Sequence, residues 1–295
     1  MHLAIRFATL GWLAVVTACG SARPDEPALR PGSCTGNVVP HEAGNLLVRG
    51  RWQERNVVVL VDTGATGGSI SPAMAQLNGR SPVGMTRFAG AAGQFRDAPV
   101  YPVDGLSLGG VDLGAFRAHE SSSAGTHDFS IGLAQLETWV ATLDLGRESF
   151  CLGHDVPDDV PLAPMRLVVD ASGRPTDIVV AARVAGVDFD RLELDTGAGV
   201  STINEDLLPQ VPHERLPDAV VSVDATGVEK REYFVRIADV CVLGTCEAEH
   251  VFMPGEDLSP LVGHTLHGIV GLPFFARHRL VLDFERRRIG LAAGT

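Results

Sequence analysis

Much of the chain is built from short runs in which apolar and polar residues alternate, the pattern of β-strands. NLLVRGRWQERNVVVLVDTG (45–64) and DIVVAARVAGVDFDRLELDTG (177–197) each indicate strand, turn and strand, YFVRIADVCVLGTC (233–246) alternates again, and RLVLDFERRRIGL (279–291) predicts a closing hairpin. The only helix candidates are short and follow two Gly blocks, Ile131–Gly132 and Val270–Gly271, near 133–138 and 272–278. The pattern therefore predicts a mostly β protein.

The two halves of the chain repeat each other. LVDTGATGGSIS (60–71) matches ELDTGAGVSTIN (193–204), and SIGLAQLETWVATLDLGRESFCL (130–152) matches IVGLPFFARHRLVLDFERRRIGL (269–291) in the same order. Two separated blocks that recur in one order indicate an internal repeat. The chain is thus predicted to form two similar β lobes.

Both lobes resemble the aspartic proteases of the pepsin and retropepsin type. In that family a hydrophobic-hydrophobic-Asp-Thr-Gly loop is followed, later in the lobe, by a hydrophobic-hydrophobic-Gly strand and a short helix. The matching residues are Leu60 to Gly64 with Ile131 and Gly132 in the first lobe, and Leu194 to Gly197 with Ile269 to Gly271 in the second. The resemblance implies an all-β, bilobal acid-protease fold with a cleft between the lobes.

The resemblance assigns Asp62 and Asp195 as the catalytic pair. A carboxylate at the end of an apolar strand is costly unless it is hydrogen-bonded or neutralised. Two carboxylates placed face to face share one proton, and aspartic proteases are the standard case. One then acts as acid and the other as base around a single water, so that neither a metal nor an organic cofactor is expected.

The neighbouring residues take the roles that the family implies. Thr63 and Thr196 would fix the two loops by hydrogen bonds, and Gly64 and Gly197 would let the backbone approach the carboxylates. Gly-rich hairpins at 87–95 and 223–232 are candidate flaps over the cleft, although ordinary surface hairpins are an alternative. The candidate tip residues are Gly90, Gly93, Thr226 and Gly227.

Three features leave alternatives open. Ser130 occupies a position where the family has an apolar residue. Asp144 and Asp283 also match between the halves, but their place in the closing hairpins favours a structural role. A duplicated fold without catalysis, such as a peptide-binding or envelope-sensing lipoprotein, is the alternative function. The two intact Asp-Thr-Gly triads favour an aspartic-type endopeptidase.

The first residues have the pattern of a targeting segment. His2 and Arg6 precede an apolar run that ends in VTAC, which resembles the bacterial lipobox and places the lipid on Cys19. An ordinary signal peptide with a chance cysteine is the alternative. The expected organisation is a signal peptide (1–18), a lipid anchor and tether (19–40), an N-terminal lobe (41–155), an exposed linker (156–163) and a C-terminal lobe (164–295).

Charge and targeting together limit the partners. The formal net charge is −12, which disfavours nucleic-acid binding. We expect a monomer that acts on polypeptides and is held at a membrane through the lipid on Cys19. Its expected location is the bacterial cell envelope, outside the cytoplasm.

Four further cysteines would lie in an oxidising compartment, where an even number favours two disulfides. The short spacing of Cys241 and Cys246 fits a hairpin turn, which leaves Cys34 and Cys151 as the second pair. Free buried thiols are the alternative. The pair His264 and His267 would bind a metal only with further ligands, so no metal site is expected.

Overall fold

The structure is a computed structural model that describes residues 34–39, 44–89, 95–121, 126–223 and 229–293. The predicted signal peptide and Cys19 lie outside these residues, as do the four candidate flap-tip residues. Within the described ranges, no helix is long and apolar enough to cross a membrane.

Twelve strands lie in the described residues of the first half. They are β1 (Val38–Val39), β2 (Leu47–Trp52), β3 (Arg55–Val61), β4 (Gly68–Ile70), β5 (Gly84–Ala89), β6 (Phe95–Val103), β7 (Leu106–Leu108), β8 (Val111–Asp112), β9 (Phe116–Glu120), β10 (Phe129–Ile131), β11 (Val140–Asp144) and β12 (Ser149–Gly153).

Within the described part of the second half, the chain forms eleven strands. They are β13 (Leu162–Pro164), β14 (Arg166–Val169), β15 (Pro175–Val184), β16 (Val187–Asp195), β17 (Ser201–Asn204), β18 (Glu214–Val223), β19 (Glu229–Val242), β20 (Thr245–Gly255), β21 (Gly268–Gly271), β22 (His278–Asp283) and β23 (Arg288–Ala293). The hairpins that alternation predicts correspond to β2–β3, β15–β16 and β22–β23, and all three are antiparallel pairs.

Helices are short, as the sequence predicts. They are α1 (Pro72–Asn78), α2 (Leu133–Leu136), α3 (Ser259–Val262) and α4 (Leu272–Phe275), with 3-10 turns at Leu145–Arg147 and Glu205–Gln210. The expectation that helices follow only the two Gly blocks is wrong, because α1 and α3 lie elsewhere. Helix α1 begins at Ser71, whose side chain accepts a hydrogen bond from the Met74 N–H, and ends at Gly79, which has a φ of 65°.

The described strands are arranged in three sheets. A ten-stranded sheet belongs to the first lobe, in the order β5-β6-β9-β4-β10-β3-β2-β7-β8 with β1 beside β2. An eight-stranded sheet belongs to the second lobe, in the order β14-β15-β16-β21-β17-β20-β19-β18. The third sheet, β12-β11-β22-β23-β13, combines strands from both halves and so joins the lobes. This arrangement confirms the expected bilobal, all-β fold.

Two expected boundaries differ from the structure. Residues 34–39 were assigned to a tether, but Asn37 is buried and β1 pairs with β2, so these residues belong to the first lobe. The expected exposed linker is wrong in part, since Val160 is buried and β13 pairs with β23. Apolar residues in this segment have a sheet to pack on, which a composition argument does not reveal.

Both expected disulfides are present. Cys34 is joined to Cys151, at a sequence separation of 117 residues, and ties the start of the first lobe to β12. Cys241 is joined to Cys246, its direct partner across the β19–β20 hairpin.

Candidate active site

Asp62 and Asp195 occupy equivalent places, one in each lobe. Asp62 follows the last residue of β3, and its N–H donates to the Ile131 carbonyl of β10 at 3.0 Å. Asp195 ends β16 and is paired in parallel register with Gly271 of β21. Each aspartate therefore leaves a buried strand beside the Gly block that the repeat predicts.

The fold brings these two carboxyl groups into hydrogen-bonding contact with each other. The Gly64 N–H lies 3.1 Å from Asp62 Oδ1 and 3.2 Å from Asp195 Oδ1, so one amide faces both carboxyl groups. The Gly197 N–H donates to Asp195 Oδ1 at 2.7 Å. The arrangement is a single carboxyl pair built from two lobes.

Each lobe's glycine packs against the other lobe's aspartate. A Cβ atom on Gly64 would lie 2.6 Å from the Asp195 Cγ, and one on Gly197 would lie 2.5 Å from the Asp62 Cγ. Both distances are far shorter than a carbon–carbon contact. Only glycine therefore fits at either position while the carboxyl groups stay in contact.

The surroundings of Asp62 and Asp195 differ, and they affect the pKa of the two carboxyl groups differently. Burial, and then the negative charge of Asp195, raise the pKa of Asp62 well above its usual range. Burial also raises the pKa of Asp195, but hydrogen bonds that include the N–H groups of Gly197 and Gly64 oppose this effect. Like charges at this distance do not both ionise cheaply, so the folded pair favours a state in which the two groups share one proton.

The two threonines fasten the loops to each other below the carboxyl pair. The Thr63 hydroxyl donates to the Leu194 carbonyl at 2.8 Å and accepts from the Thr196 N–H at 3.0 Å. The Thr196 hydroxyl donates to the Val61 carbonyl at 2.7 Å and accepts from the Thr63 N–H at 3.2 Å. These four buried bonds cross the lobe boundary and fix the distance between the aspartates.

A segment that the sequence analysis did not single out adds to this contact. Asn45 donates a side-chain hydrogen bond to the Gly197 carbonyl, and the Leu46 N–H donates to the Thr196 carbonyl at 3.1 Å. The start of β2 in the first lobe thus holds the second lobe's loop. No local sequence pattern signals this contact, because it joins residues about 150 positions apart.

Ser130 is accommodated by a hydrogen bond to its neighbour across the sheet. Its hydroxyl lies 2.7 Å from the Ser69 hydroxyl and accepts from the Ser69 N–H at 3.0 Å. The corresponding cross-strand pair in the second lobe is Ile269 and Thr202. This departure from the family pattern is therefore satisfied internally.

A buried polar network behind the second loop was missed by sequence reasoning. The Ser201 hydroxyl accepts from the Gly271 N–H at 3.0 Å and lies 2.8 Å from His250 Nε2. His250 Nδ1 lies 2.8 Å from a Glu247 carboxylate oxygen. Because Ser201 is fully buried and its hydroxyl holds the Gly271 N–H, this network supports the second loop.

The other candidate polar residues have structural contacts. Asp144 accepts from the Arg147 N–H at 3.2 Å and Asp283 accepts from the Arg286 N–H at 2.9 Å, so both aspartates close turns. His264 Nε2 lies 3.0 Å from Asp177 Oδ2, and His267 Nδ1 lies 3.8 Å from Asp190 Oδ1. Among the described residues, no group of three His, Cys, Asp or Glu side chains could hold a metal ion.

The candidate flaps are partly described. β5 pairs with β6 from Gly84 to Val100, and β18 pairs with β19, so each hairpin has the expected antiparallel arms. The tips with Gly90, Gly93, Thr226 and Gly227 lie outside the described residues, and their role stays a prediction.

Comparison with known proteins agrees with this geometry. The aspartyl protease family model matches residues 48–134, which include the first Asp-Thr-Gly loop and the Gly block. No curated protein matches the chain in sequence. The aspartic proteinase from Irpex lacteus is similar in structure, with a TM-score of 0.54 and 12% sequence identity over 86% of this chain and 95% of that chain. The chain therefore has the two-lobed fold of an aspartic proteinase, and its first lobe carries the sequence pattern of the aspartyl protease family.

Proposed function

We propose that the protein is an aspartic-type endopeptidase that hydrolyses peptide bonds with Asp62 and Asp195. The observation that carries the proposal is the Gly64 N–H, which faces one carboxylate oxygen from each lobe at 3.1 and 3.2 Å. A pair held this way keeps an acid and a base within reach of one water molecule. Neither lobe supplies such a pair alone.

In the proposed reaction, ionised Asp195 takes a proton from the water as the water oxygen attacks the peptide carbonyl carbon. Protonated Asp62 gives its proton to the carbonyl oxygen, and a tetrahedral diol forms. Asp195 then gives its new proton to the peptide nitrogen, one diol hydroxyl returns a proton to Asp62, and the C–N bond breaks to release an amine and a carboxylic acid. The raised pKa of Asp62 and the N–H groups around Asp195 support this assignment of roles.

The proposed substrate is a polypeptide in extended form. An extended chain can form main-chain hydrogen bonds with the hairpin arms at the cleft, and its side chains alternate between the two sides. The endopeptidase is tested by incubating the purified protein with an unfolded protein and a peptide library and identifying new termini by mass spectrometry. The double variant Asp62→Asn, Asp195→Asn is the control. Cleavage by the control, or by neither protein, would contradict the proposal.

We also propose that the enzyme is anchored to a membrane outside the bacterial cytoplasm through a lipid on Cys19. The support is the sequence alone: an apolar run that ends in VTAC and a polar stretch after it. Cys19→Ala is expected to leave the precursor uncleaved or to release the protein from the membrane fraction. If the variant matures and sediments with membranes as the parent does, the anchor is elsewhere.

A further inference from the structure

A third carboxyl group lies beside the aspartate pair. Glu193 is two residues before Asp195 on β16, and alternate residues of a strand point to the same face. Leu194, which lies between them, and Leu192, which precedes Glu193, belong to the buried apolar core of the molecule. Glu193 therefore shares the face of Asp195, which is the face of the cleft.

The cross-strand neighbours of Glu193 agree with this placement. Val179 of β15 and Ile269 of β21 are its register partners. Both are buried, but neither belongs to the core cluster that contains Leu192 and Leu194. Next to Ile269 is Thr202 of β17, which is only partly buried. These residues therefore lie beside Glu193 on the face of the second lobe's sheet that also carries Asp195.

Among the described residues, Glu193 has no partner of the kind that buried carboxyl groups usually have. It is 5% exposed, and burial and neighbouring charges act on its carboxyl group without a hydrogen bond from any described residue. Nearby Asp177, also buried, accepts from the Thr176 hydroxyl at 2.6 Å and contacts His264 at 3.0 Å. Burial, followed by the charges of Asp195, Asp177 and Asp62, holds the pKa of Glu193 well above its usual range. A nearby cation stabilises the charged form of such a carboxyl group more than that of a carboxyl group that already has hydrogen-bond partners.

The two lobes differ at this position. By the repeat, Glu193 corresponds to Leu60 of β3, two residues before Asp62. Leu60 pairs with Leu47 of β2 and with Ser130 of β10, and it is half-buried on the same face as Asp62. The cleft floor therefore carries a leucine on one side of the aspartate pair and a carboxyl group on the other.

We propose that Glu193 is a specificity-determining residue that selects a substrate with lysine or arginine at one of the two positions flanking the scissile bond. The proposal rests on the proposed function, because it assumes that a polypeptide lies across Asp62 and Asp195. Two residues of a strand span about 6.6 Å, so a long side chain next to the scissile bond can reach the Glu193 carboxyl group. At the other flanking position the corresponding residue is Leu60, which offers no charge to a substrate side chain.

The preference is measured with two matched peptide pairs, one pair for each flanking position, in which arginine is replaced by norleucine. The purified parent is compared with Glu193→Gln and Glu193→Leu at one fixed pH. The leucine variant copies the residue of the first lobe, and the glutamine variant keeps the shape. Asp188→Asn is the control, because this carboxyl group lies on the same strand, is exposed and contacts Arg183 at 3.9 Å.

The parent is expected to favour arginine by about tenfold or more in kcat/KM at one flanking position only, as for a charge-assisted hydrogen bond. Glu193→Leu should reverse this preference towards norleucine, Glu193→Gln should remove most of it, and Asp188→Asn should keep it. A parent without preference, or a preference that Glu193→Leu leaves unchanged, overturns the proposal.

Binding separates this proposal from the proposed function. The dissociation constants of the same peptides are measured on the Asp62→Asn, Asp195→Asn variant, with and without Glu193→Leu. If arginine is favoured only when Glu193 is present, the subsite is supported even for a protein that does not cleave. Equal affinities for all peptides overturn the subsite, whatever the parent's activity.

Discussion

The geometry of the carboxyl pair depends on contacts between individual residues of the two lobes. Gly64 packs on Asp195, Gly197 packs on Asp62, and the threonine beside each glycine hydrogen-bonds across the lobe boundary. The sequence identifies these residues because they recur at one spacing. It does not identify Asn45, Glu193 or the Ser201 network, since their roles come from neighbours that are distant along the chain.

Gly64→Ala and Gly197→Ala are expected to lower kcat/KM by about 100-fold or more, since a displacement near 1 Å of reacting groups has an effect of that size. The added methyl group would lie 2.5 to 2.6 Å from the opposite carboxyl carbon. Gly67→Ala is the matched control, because a Cβ there meets nothing within 4 Å. Steady-state kinetics and urea unfolding are measured on all three. Near-parent activity in Gly64→Ala would contradict the close packing.

At the level of elements, hydrophobic alternation predicts the long strands and the closing hairpins correctly. Helix α1 was missed although Ser71, Pro72 and Gly79 are typical start and stop residues, because the seven-residue segment between them is too short for a clear helical period. Strand β13 was missed because its residues pair with β23, at the other end of the chain. Local pattern predicts elements, whereas pairing partners depend on the tertiary fold.

The two disulfides should differ in their effect on stability. In the chain-entropy model a crosslink stabilises the folded state more when it closes a longer loop. The separations are 117 residues for Cys34–Cys151 and 5 residues for Cys241–Cys246. Replacing both cysteines of the long loop by serine should cost about 5 kcal/mol of unfolding free energy, against about 2 kcal/mol for the short loop. Urea unfolding of the two double variants measures this, and an equal or inverse order would contradict it.

At the scale of the whole molecule, acidic groups are buried where the two lobes meet. The free energy of unfolding therefore depends on pH. The folded-state pKa of Asp62 is raised, so folding favours its protonated form. This contribution is fully present below about pH 4, the usual range of aspartate, and is lost as the pH rises through the raised pKa. The unfolding free energy of the parent should therefore fall with rising pH relative to that of Asp62→Asn. Urea unfolding of both proteins across this range checks the sign, and a constant difference would contradict it.

The central claim is that the two lobes form one active site with one shared proton. The most direct test compares the parent, Asp62→Asn, Asp195→Asn and the double variant on one peptide substrate. Each single variant should lose most of the activity, and the double variant should lose little more, because residues that act as a unit are not additive. The parent's kcat should fall as pH rises past the upper pKa of the pair. If either single variant keeps near-parent turnover with an intact fold, the shared site is contradicted.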